Sequence, residues 1–473
     1  MSEGRLSEVL HRIAAESRPP RLAADTWDRG RRRRRVTVAA AVVAVTALLA
    51  GVPLAAPRLH AAPAPADGGG RRVVPARVYP PLPGQDTIGE DPPGPAALVV
   101  SGDRELQGSD LWTWEGRSLL VGQDGGYRLA RTVNQTSAGL DDLLLSPDGR
   151  YLAAEPMIEG TNWPDDPVGQ TAVVDLTTGR IRQYTGGLPV AWSPDGRSLL
   201  LRPMTVDDPR LGRLNLLDVT TGTLRALPEI KERFHSNLAA FAPDGTRIAL
   251  ATTDALYVVE TAGMTLRRLA PLTPRDRLAG PGAWLPDGDR ITMWTLADCE
   301  AGETCDEDRL ARRPIRFGYR DATTGAAAPG PALPAARGLA ARLLGWQRDG
   351  DAVVAEYQPE AGLTKQPDDP HWSETDWYAV GSVTVSEFRP DGSRRRVVDL
   401  PQSALFVDVP ADLLDSFGGP APSRVEGAVR WLLALWWPLG QFAVALVVLS
   451  ALGVLGGRWL RRRRARRRAA RLG

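Results

Sequence analysis

Cysteine, histidine and methionine are scarce in this 473-residue chain, which has two Cys, four His and five Met. Two cysteines cannot frame a disulfide-dominated fold. The four histidines, His11, His60, His235 and His371, lie far apart in sequence and leave a multi-His metal centre unsupported. No G-x-S-x-G, H-E-x-x-H or G-x-x-x-x-G-K-[ST] run occurs, so a hydrolase nucleophile elbow, a zincin helix and a phosphate-binding loop are absent as motifs. The expectation is a protein that is not an enzyme and needs neither metal nor cofactor. Lysine is almost missing: Lys231 and Lys365 stand beside 56 arginines, a bias that fits a GC-rich genome and carries no functional weight.

Charge is unevenly placed. Residues 1–35 carry +5 and residues 458–473 carry +9, so a net charge of +2 leaves −12 on everything between them. Each basic end abuts a long uncharged run. Residues 36–57 hold no charge over 22 positions, and residues 431–457 hold none over 27, with Gln441 as the only strongly polar side chain. About 20 apolar residues cross a bilayer core, so both runs read as transmembrane helices. Arginine-rich flanks stay in the cytoplasm, which puts residues 1–35 and 458–473 inside and residues 58–430 outside. Trp431, Trp436 and Trp437 then fall at the outer interface. Topology accounts for the arginine runs, so a nucleic-acid partner is not expected. A cleaved signal peptide is the alternative for the first run, because Ala-rich residues follow it.

Residues 58–94 are rich in Pro and Gly and read as a stalk, and residues 411–430 as a linker. Between them, from about 95 to 410, lies a repeat. Apolar strands run into an Asp-Gly turn and out again: LLLSPDGRYLAAE from Leu143, VAWSPDGRSLLLR from Val190, AAFAPDGTRIALA from Ala239, GAWLPDGDRITMW from Gly282 and LGWQRDGDAVVAE from Leu344. The turns are Asp148-Gly149, Asp195-Gly196, Asp244-Gly245, Asp287-Gly288 and Asp349-Gly350. Asp-Gly between strands signals a hairpin, since the turn needs a positive φ that Gly adopts freely.

A second hairpin follows each first one: VVDLTTGRIRQY, LLDVTTGTLRAL, VVETAGMTLRRL, YRDATTGAAA and SEFRPDGSRRRVV. Two hairpins make four antiparallel strands, the anatomy of a propeller blade. Spacing between the paired turn glycines varies from 18 to 42 residues, so the connection from second to third strand absorbs the insertions. The length gives an all-β fold of six blades, with room for a seventh, between the two transmembrane helices. WEGRSLLVGQDGGYRLARTV from Trp114 supplies a partial first blade, and SALFVDVP from Ser403 is placed to pair with that blade and close the ring.

The SPDG turns at 146 and 193 and the APDG turn at 242, each after an apolar strand, resemble the repeat of TolB-like and WD-repeat-like β-propellers. The resemblance covers about 310 residues and implies a protein-binding or ligand-binding propeller. That family includes propellers attached to serine peptidases, from which this chain departs by having no catalytic domain. Residues 5–17 (RLSEVLHRIAAES) place Leu6, Val9, Leu10, Ile13 and Ala14 on one helical stripe. A short cytoplasmic helix before an Arg-rich juncture resembles single-pass anti-sigma regulators of actinobacteria, although their zinc-binding His and Cys are missing here and the second crossing is atypical. A simple topology anchor is the other reading of those residues.

Candidate binding residues are acidic. Asp165 and Asp166, Asp207 and Asp208, Asp368 and Asp369, and the run holding Asp298, Glu300, Asp306 and Asp308 all fall in second-to-third strand loops. In a propeller those loops emerge on one face, which would carry an acidic rim able to attract cations or a basic partner. Solvated Asp-Asp-Pro turns are the plainer reading. Cys299 and Cys305, in DCEAGETCDED, would form a disulfide stapling one loop outside the membrane; a metal pair is the weaker alternative. Trp192, Phe241, Trp284 and Trp346 recur just before the hairpin turns and read as filling between blades rather than a carbohydrate platform. The overall expectation is a membrane-anchored, non-catalytic propeller that binds a protein or an extracytoplasmic ligand. A transmembrane regulator and a propeller lyase or hydrolase are the alternatives.

Overall fold

A computed structural model describes residues 73–81, 86–102, 117–130, 143–156, 169–202, 213–232, 234–297, 299, 303–365 and 379–420, with Val444, Leu446, Val448 and Leu449. Strand β1 (Val74–Pro75) precedes the repeat. Blade 1 takes three strands from its beginning, β2 (Ala96–Gly102), β3 (Arg117–Gly122) and β4 (Tyr127–Ala130). Blade 2 is β5 (Leu143–Leu145), β6 (Tyr151–Ala154), β7 (Gln170–Asp175) and β8 (Arg180–Thr185). Blade 3 is β9 (Leu188–Trp192), β10 (Ser198–Arg202), β11 (Asn215–Asp218) and β12 (Leu224–Ala226). Blade 4 is β13 (Phe234–Phe241), β14 (Arg247–Thr252), β15 (Ala255–Glu260) and β16 (Thr265–Pro271).

Blade 5 starts with β17 (Asp276–Leu278) and β18 (Arg290–Leu296). An insertion of β19 (Cys305–Asp306) and helix α1 (Glu307–Arg312) follows, before β20 (Pro314–Asp321) and β21 (Ala336–Arg337) complete the sheet. Blade 6 is β22 (Ala340–Trp346), β23 (Ala352–Pro359), β25 (Val380–Phe388) and β26 (Arg394–Val398), with β24 (Thr364–Lys365) in the loop between its second and third strands. Strand β27 (Ala404–Asp408) returns to blade 1, and β28 (Phe417–Gly419) pairs in parallel with β1. The result is an all-β fold of six four-stranded sheets among the described residues.

Turn chemistry sets the hairpins. The Asp148 carboxylate accepts from the Arg150 amide at 3.0 Å and from the Ser146 hydroxyl at 2.6 Å, while Gly149 takes a φ of +75°. Asp195 repeats this with Arg197 and Ser193. The second hairpins of blades 2, 3 and 5 use an Asp-x-Thr-Thr-Gly turn, in which Asp218 accepts from the Thr220 and Thr221 amides and Asp321 from those of Thr323 and Thr324.

Strand composition follows position in the blade. Inner strands are covered on both faces by neighbouring blades and carry apolar runs such as Leu199–Leu201 and Ile248–Ala251. Outermost strands are covered less. Every residue of β8 except Tyr184 is exposed, and so is all of β12.

Indole groups stitch successive blades. Trp192 Nε1 donates to Leu144 O in blade 2 at 3.2 Å, Trp284 Nε1 to Ala240 O in blade 4 at 2.9 Å, and Trp346 Nε1 to Gly282 O in blade 5 at 2.9 Å. Phe241, the fourth aromatic of the series, has no donor and packs with Val190 and Ala191 of blade 3. The stripe is therefore inter-blade packing, as its periodicity suggests.

The ring closes through β27, whose register sets Val99 opposite Asp408 and Val100 opposite Val407. The closing strand thus pairs with β2, a segment (AALVVSG) ahead of the hairpin that the sequence assigns to the first blade. Nor are residues 73–94 a free stalk over their described part. Val78 N donates to Asp399 O at 2.8 Å, and Val74, Val78 and Ile88 are buried against the propeller. Ala411–Leu413 forms a 3-10 turn, and Leu413 and Leu414 enter the same core, so the first half of the linker is also docked. Composition misled at both places because isolated apolar residues among prolines are enough to anchor a segment on an existing surface.

Residues 1–72 lie outside the described residues, as do residues 421–473 apart from the four named above. Among the described residues no helix is long and apolar enough to cross a membrane.

Candidate functional site

In a four-stranded antiparallel blade the first-to-second and third-to-fourth strand turns share one face of the ring, and the second-to-third strand loops share the other. On that second face blades 5 and 6 are joined by a built structure. Cys299 and Cys305 form the disulfide the sequence suggests, with Cα atoms 5.7 Å apart. It leads into β19, which pairs antiparallel with β24 of the neighbouring blade, Cys305 opposite Lys365 and Asp306 opposite Thr364. Two loops from different blades therefore share a ladder.

Helix α1 seals this shelf. Asp306 is its N-cap and accepts from the Arg309 amide at 2.8 Å. A carboxylate in that position satisfies an amide with no helical partner and meets the positive end of the helix. Glu307 accepts from the Gly362 amide at 2.6 Å, a second bond between the two loops. Leu310, on the inner side of the helix, is fully buried and packs in one cluster with Cys299, Cys305 and Tyr357. At the end of the helix the buried Arg313 donates Nη2 to the Leu339 carbonyl and Nε to the Gly338 carbonyl, tying blade 5 to the start of blade 6.

This placement changes the meaning of the acidic run. Asp306 and Asp308 do lie in the loop the sequence assigns them. Asp306 caps α1, Asp308 pairs with Arg312 at 3.6 Å one helical turn later, and Glu303 pairs with Arg309 at 2.5 Å. Glu303 and Asp308 each face an arginine of the same insertion and Asp306 caps its helix, so these acids also help to build α1. Asp165, Asp166, Asp207, Asp208, Asp298, Glu300, Asp368 and Asp369 lie outside the described residues. Among the described residues no three His, Cys, Asp or Glu side chains come together as a metal site.

Beneath the shelf, Glu356 of β23 accepts from the Arg337 amide at 2.8 Å and from Arg394 Nη1 at 3.1 Å. Burial still dominates, and the Glu356 carboxyl is pushed above its ordinary pKa. At the other end of the blade, burial and the neighbouring Glu387 raise the Asp351 carboxyl. Burial also opposes ionisation of Glu387, but hydrogen bonds from Arg389 and Arg395 outweigh it and hold Glu387 low. Sequence reading found none of these groups. The available signal was a charge inside an otherwise apolar strand, as in VVAEY and VSEF.

No protein-family model matches the chain, and no curated protein matches it. Solved structures are similar at low identity. A protein assigned as TolB from Agrobacterium tumefaciens aligns at 19% identity and TM-score 0.33, over 49% of this chain and 80% of that one. TolB from Acinetobacter baumannii aligns at 13% identity and TM-score 0.36, over 63% of this chain and 62% of that one. An oligogalacturonate lyase from Vibrio parahaemolyticus aligns at 13% identity and TM-score 0.36, over 69% and 79% respectively. At such scores the likeness says nothing about function, and the six-bladed assignment rests on the strand pairing itself.

Proposed function

We propose that this chain is a non-catalytic binding module, a six-bladed propeller held on the outer side of the cytoplasmic membrane, which engages a protein or other extracytoplasmic partner through its second-to-third strand loops. The observation that carries the reading is the shelf across blades 5 and 6. Closing a propeller requires no such insertion, yet a disulfide, a capped helix and a cross-blade ladder are spent on making one loop region rigid. A rigid platform lowers the ordering cost of binding.

Support for the membrane setting comes from the two uncharged runs and their arginine flanks. Val444, Leu446, Val448 and Leu449 of the second run are helical and their apolar side chains are exposed.

A photo-crosslinking amino acid placed at Asp308 or Arg312, both well exposed, tests the surface in intact membranes. A specific adduct from these positions and none from Thr178 or Thr221, on the opposite face, is the expected result. Adducts from the opposite face alone overturn the reading. Protease treatment of intact protoplasts should digest the propeller, and protection there combined with digestion in inverted vesicles would reverse the topology. The regulator reading is favoured by the apolar stripe within residues 5–17. Deleting residues 1–30 then changes transcription while insertion and folding persist, whereas a plain anchor leaves transcription unchanged.

A further inference from the structure

Blade 5 has lost most of its outer strand. Strand β21 keeps two residues, paired with Pro314 and Ile315, and Ala327 forms a single bridge with Arg320. Between them runs APGPALPA, whose prolines at 329, 331 and 334 have no N–H to give a ladder. The third strand is consequently half-exposed from Phe317 to Asp321, where the third strand of blade 4 is buried from Ala255 to Val259. The gap opens a cleft of about 360 Å³ between blades 4 and 5. Its wall includes Leu272 of blade 4 and, from blade 5, Asp276, Met293, Gly318, Arg320 and Ala328.

The two charged groups of this cleft differ in their commitments. Asp276 accepts from the Thr273 amide at 3.0 Å, the Thr273 hydroxyl at 2.8 Å and the Thr295 hydroxyl at 2.9 Å. Burial works against its ionisation, but these bonds and the positive charge of Arg320 prevail and keep it ionised, below the usual carboxylate range. The Arg320 guanidinium makes no side-chain hydrogen bond or ion pair among the described residues, although its charge is felt at Asp276. A fixed carboxylate and an uncommitted guanidinium thus share one wall, with Leu272, Met293 and Ala328 supplying apolar surface. A concave site of this volume that combines apolar surface with placed polar groups falls in the size range of small-molecule sites.

We infer that the cleft binds a small zwitterion with an apolar body, a free apolar amino acid, its carboxylate on Arg320 and its ammonium beside Asp276. A plain anion would be repelled by Asp276, and a plain cation by Arg320. A ligand carrying both charges sets its carboxylate on the guanidinium and its ammonium on the acidic side of the wall, whereas a ligand with one charge meets only one of the two groups favourably. The site lies away from the shelf, and its occupancy does not depend on the role proposed for that surface.

Gly318 offers a clean test. Gly318 lines the cleft, a Cβ built there meets no atom within 4 Å, and its φ is not in the left-handed region, so a side chain begins there without a backbone clash or strain. Full-length protein in detergent is titrated calorimetrically with L-leucine, N-acetyl-L-leucine, which lacks the ammonium, and L-leucinamide, which lacks the carboxylate. The expected result is binding of L-leucine, weakened roughly tenfold or more in each blocked form, since a charge-assisted hydrogen bond is lost each time. Gly318→Leu abolishes the heat while the circular-dichroism melting curve stays unchanged, and Arg320→Gln weakens leucine more than leucinamide. Absence of heat with L-leucine at millimolar concentration, equal binding of the blocked forms, or undiminished binding by a folded Gly318→Leu protein overturns the inference.

Discussion

The guanidinium of Arg342 in β22 lies 3.2 Å from the carboxylate of Asp408 in β27, with side-chain exposures of 1% and 8%. The pair joins blade 6 to the strand that closes blade 1. Asp408 also accepts from the Leu145 amide in blade 2 at 2.8 Å, and Arg342 lies over the Phe406 ring at 5.0 Å. One carboxylate therefore holds three consecutive blades at the seam where the two ends of the propeller meet.

Breaking that pair is costly because the surviving charge stays buried. Asp408→Ala takes the carboxylate from the buried guanidinium, which keeps neutral acceptors such as the Val407 carbonyl at 3.3 Å, and the acceptor from the Leu145 amide; the expected loss is about 3–5 kcal/mol. Arg342→Met combined with Asp408→Leu should lose less than Asp408→Ala alone, since no uncompensated charge remains. Urea unfolding followed by tryptophan fluorescence measures both. A loss below about 1 kcal/mol for Asp408→Ala would mean that the seam is held by its apolar contacts instead.

The indole stitches give a second prediction. Trp284→Phe keeps most of the packing but removes the donor to Ala240 O, leaving a buried carbonyl without its 2.9 Å partner. Phe241 shows that this ring position tolerates phenylalanine where no donor is needed. The cost should be about 1–3 kcal/mol, with blade-to-blade order otherwise intact. A thermal shift no larger than that of a surface substitution would remove the indole hydrogen bond as a determinant.

Much of this architecture was legible in local pattern. The Asp-Gly and Thr-Thr-Gly turns announce their hairpins because the determinants, an Asp acceptor and a Gly at positive φ, lie within five residues of each other. SALFVDVP could be matched to the first blade, but its true partner β2 has no turn linking the two and is about 300 residues away in sequence. Arg342 and Asp408 look like ordinary strand-end charges until the ring brings them together. Asp306 and Asp308 fall in the insertion between the second and third strands of blade 5, but no sequence signal marked the short helix that puts Arg309 and Arg312 beside them. The cleft of blade 5 was announced only by the prolines at 329, 331 and 334, a negative signal that a missing strand leaves behind.

Glu356 predicts a pH dependence. Its carboxyl is raised by burial, against the opposing pull of Arg337 and Arg394. A carboxyl that holds its proton more tightly in the fold than in the unfolded chain contributes stability below the ordinary carboxylate value. That contribution is lost as pH rises through the raised value. Glu356→Gln keeps an acceptor for the Arg337 amide and does not titrate. Relative to this variant, wild-type protein should be more stable at about pH 4 than at about pH 7, in paired urea midpoints corrected for the rest of the chain. A difference that is flat in pH, or opposite in sign, would show that the two arginines outweigh burial.

The disulfide separates local from global stability. The bridge between Cys299 and Cys305 spans a sequence separation of 6, and so short a loop stabilises by only about 2 kcal/mol in the chain-entropy view. A Cys299→Ala, Cys305→Ala protein should therefore keep its six blades and lose little in global unfolding. The loss is concentrated where the staple acts: β19 no longer enters its ladder with β24 in a fixed register, and Glu307 loses its alignment with the Gly362 amide. Hydrogen exchange should rise at position 305 and at Asp306, Gly362 and Lys365 while the Asp-Gly turns on the far face keep their protection. Uniform loss of protection across all blades would instead make the bridge a support of the whole ring, and unchanged exchange at the ladder would show that Leu310 and Arg313 hold the shelf without it.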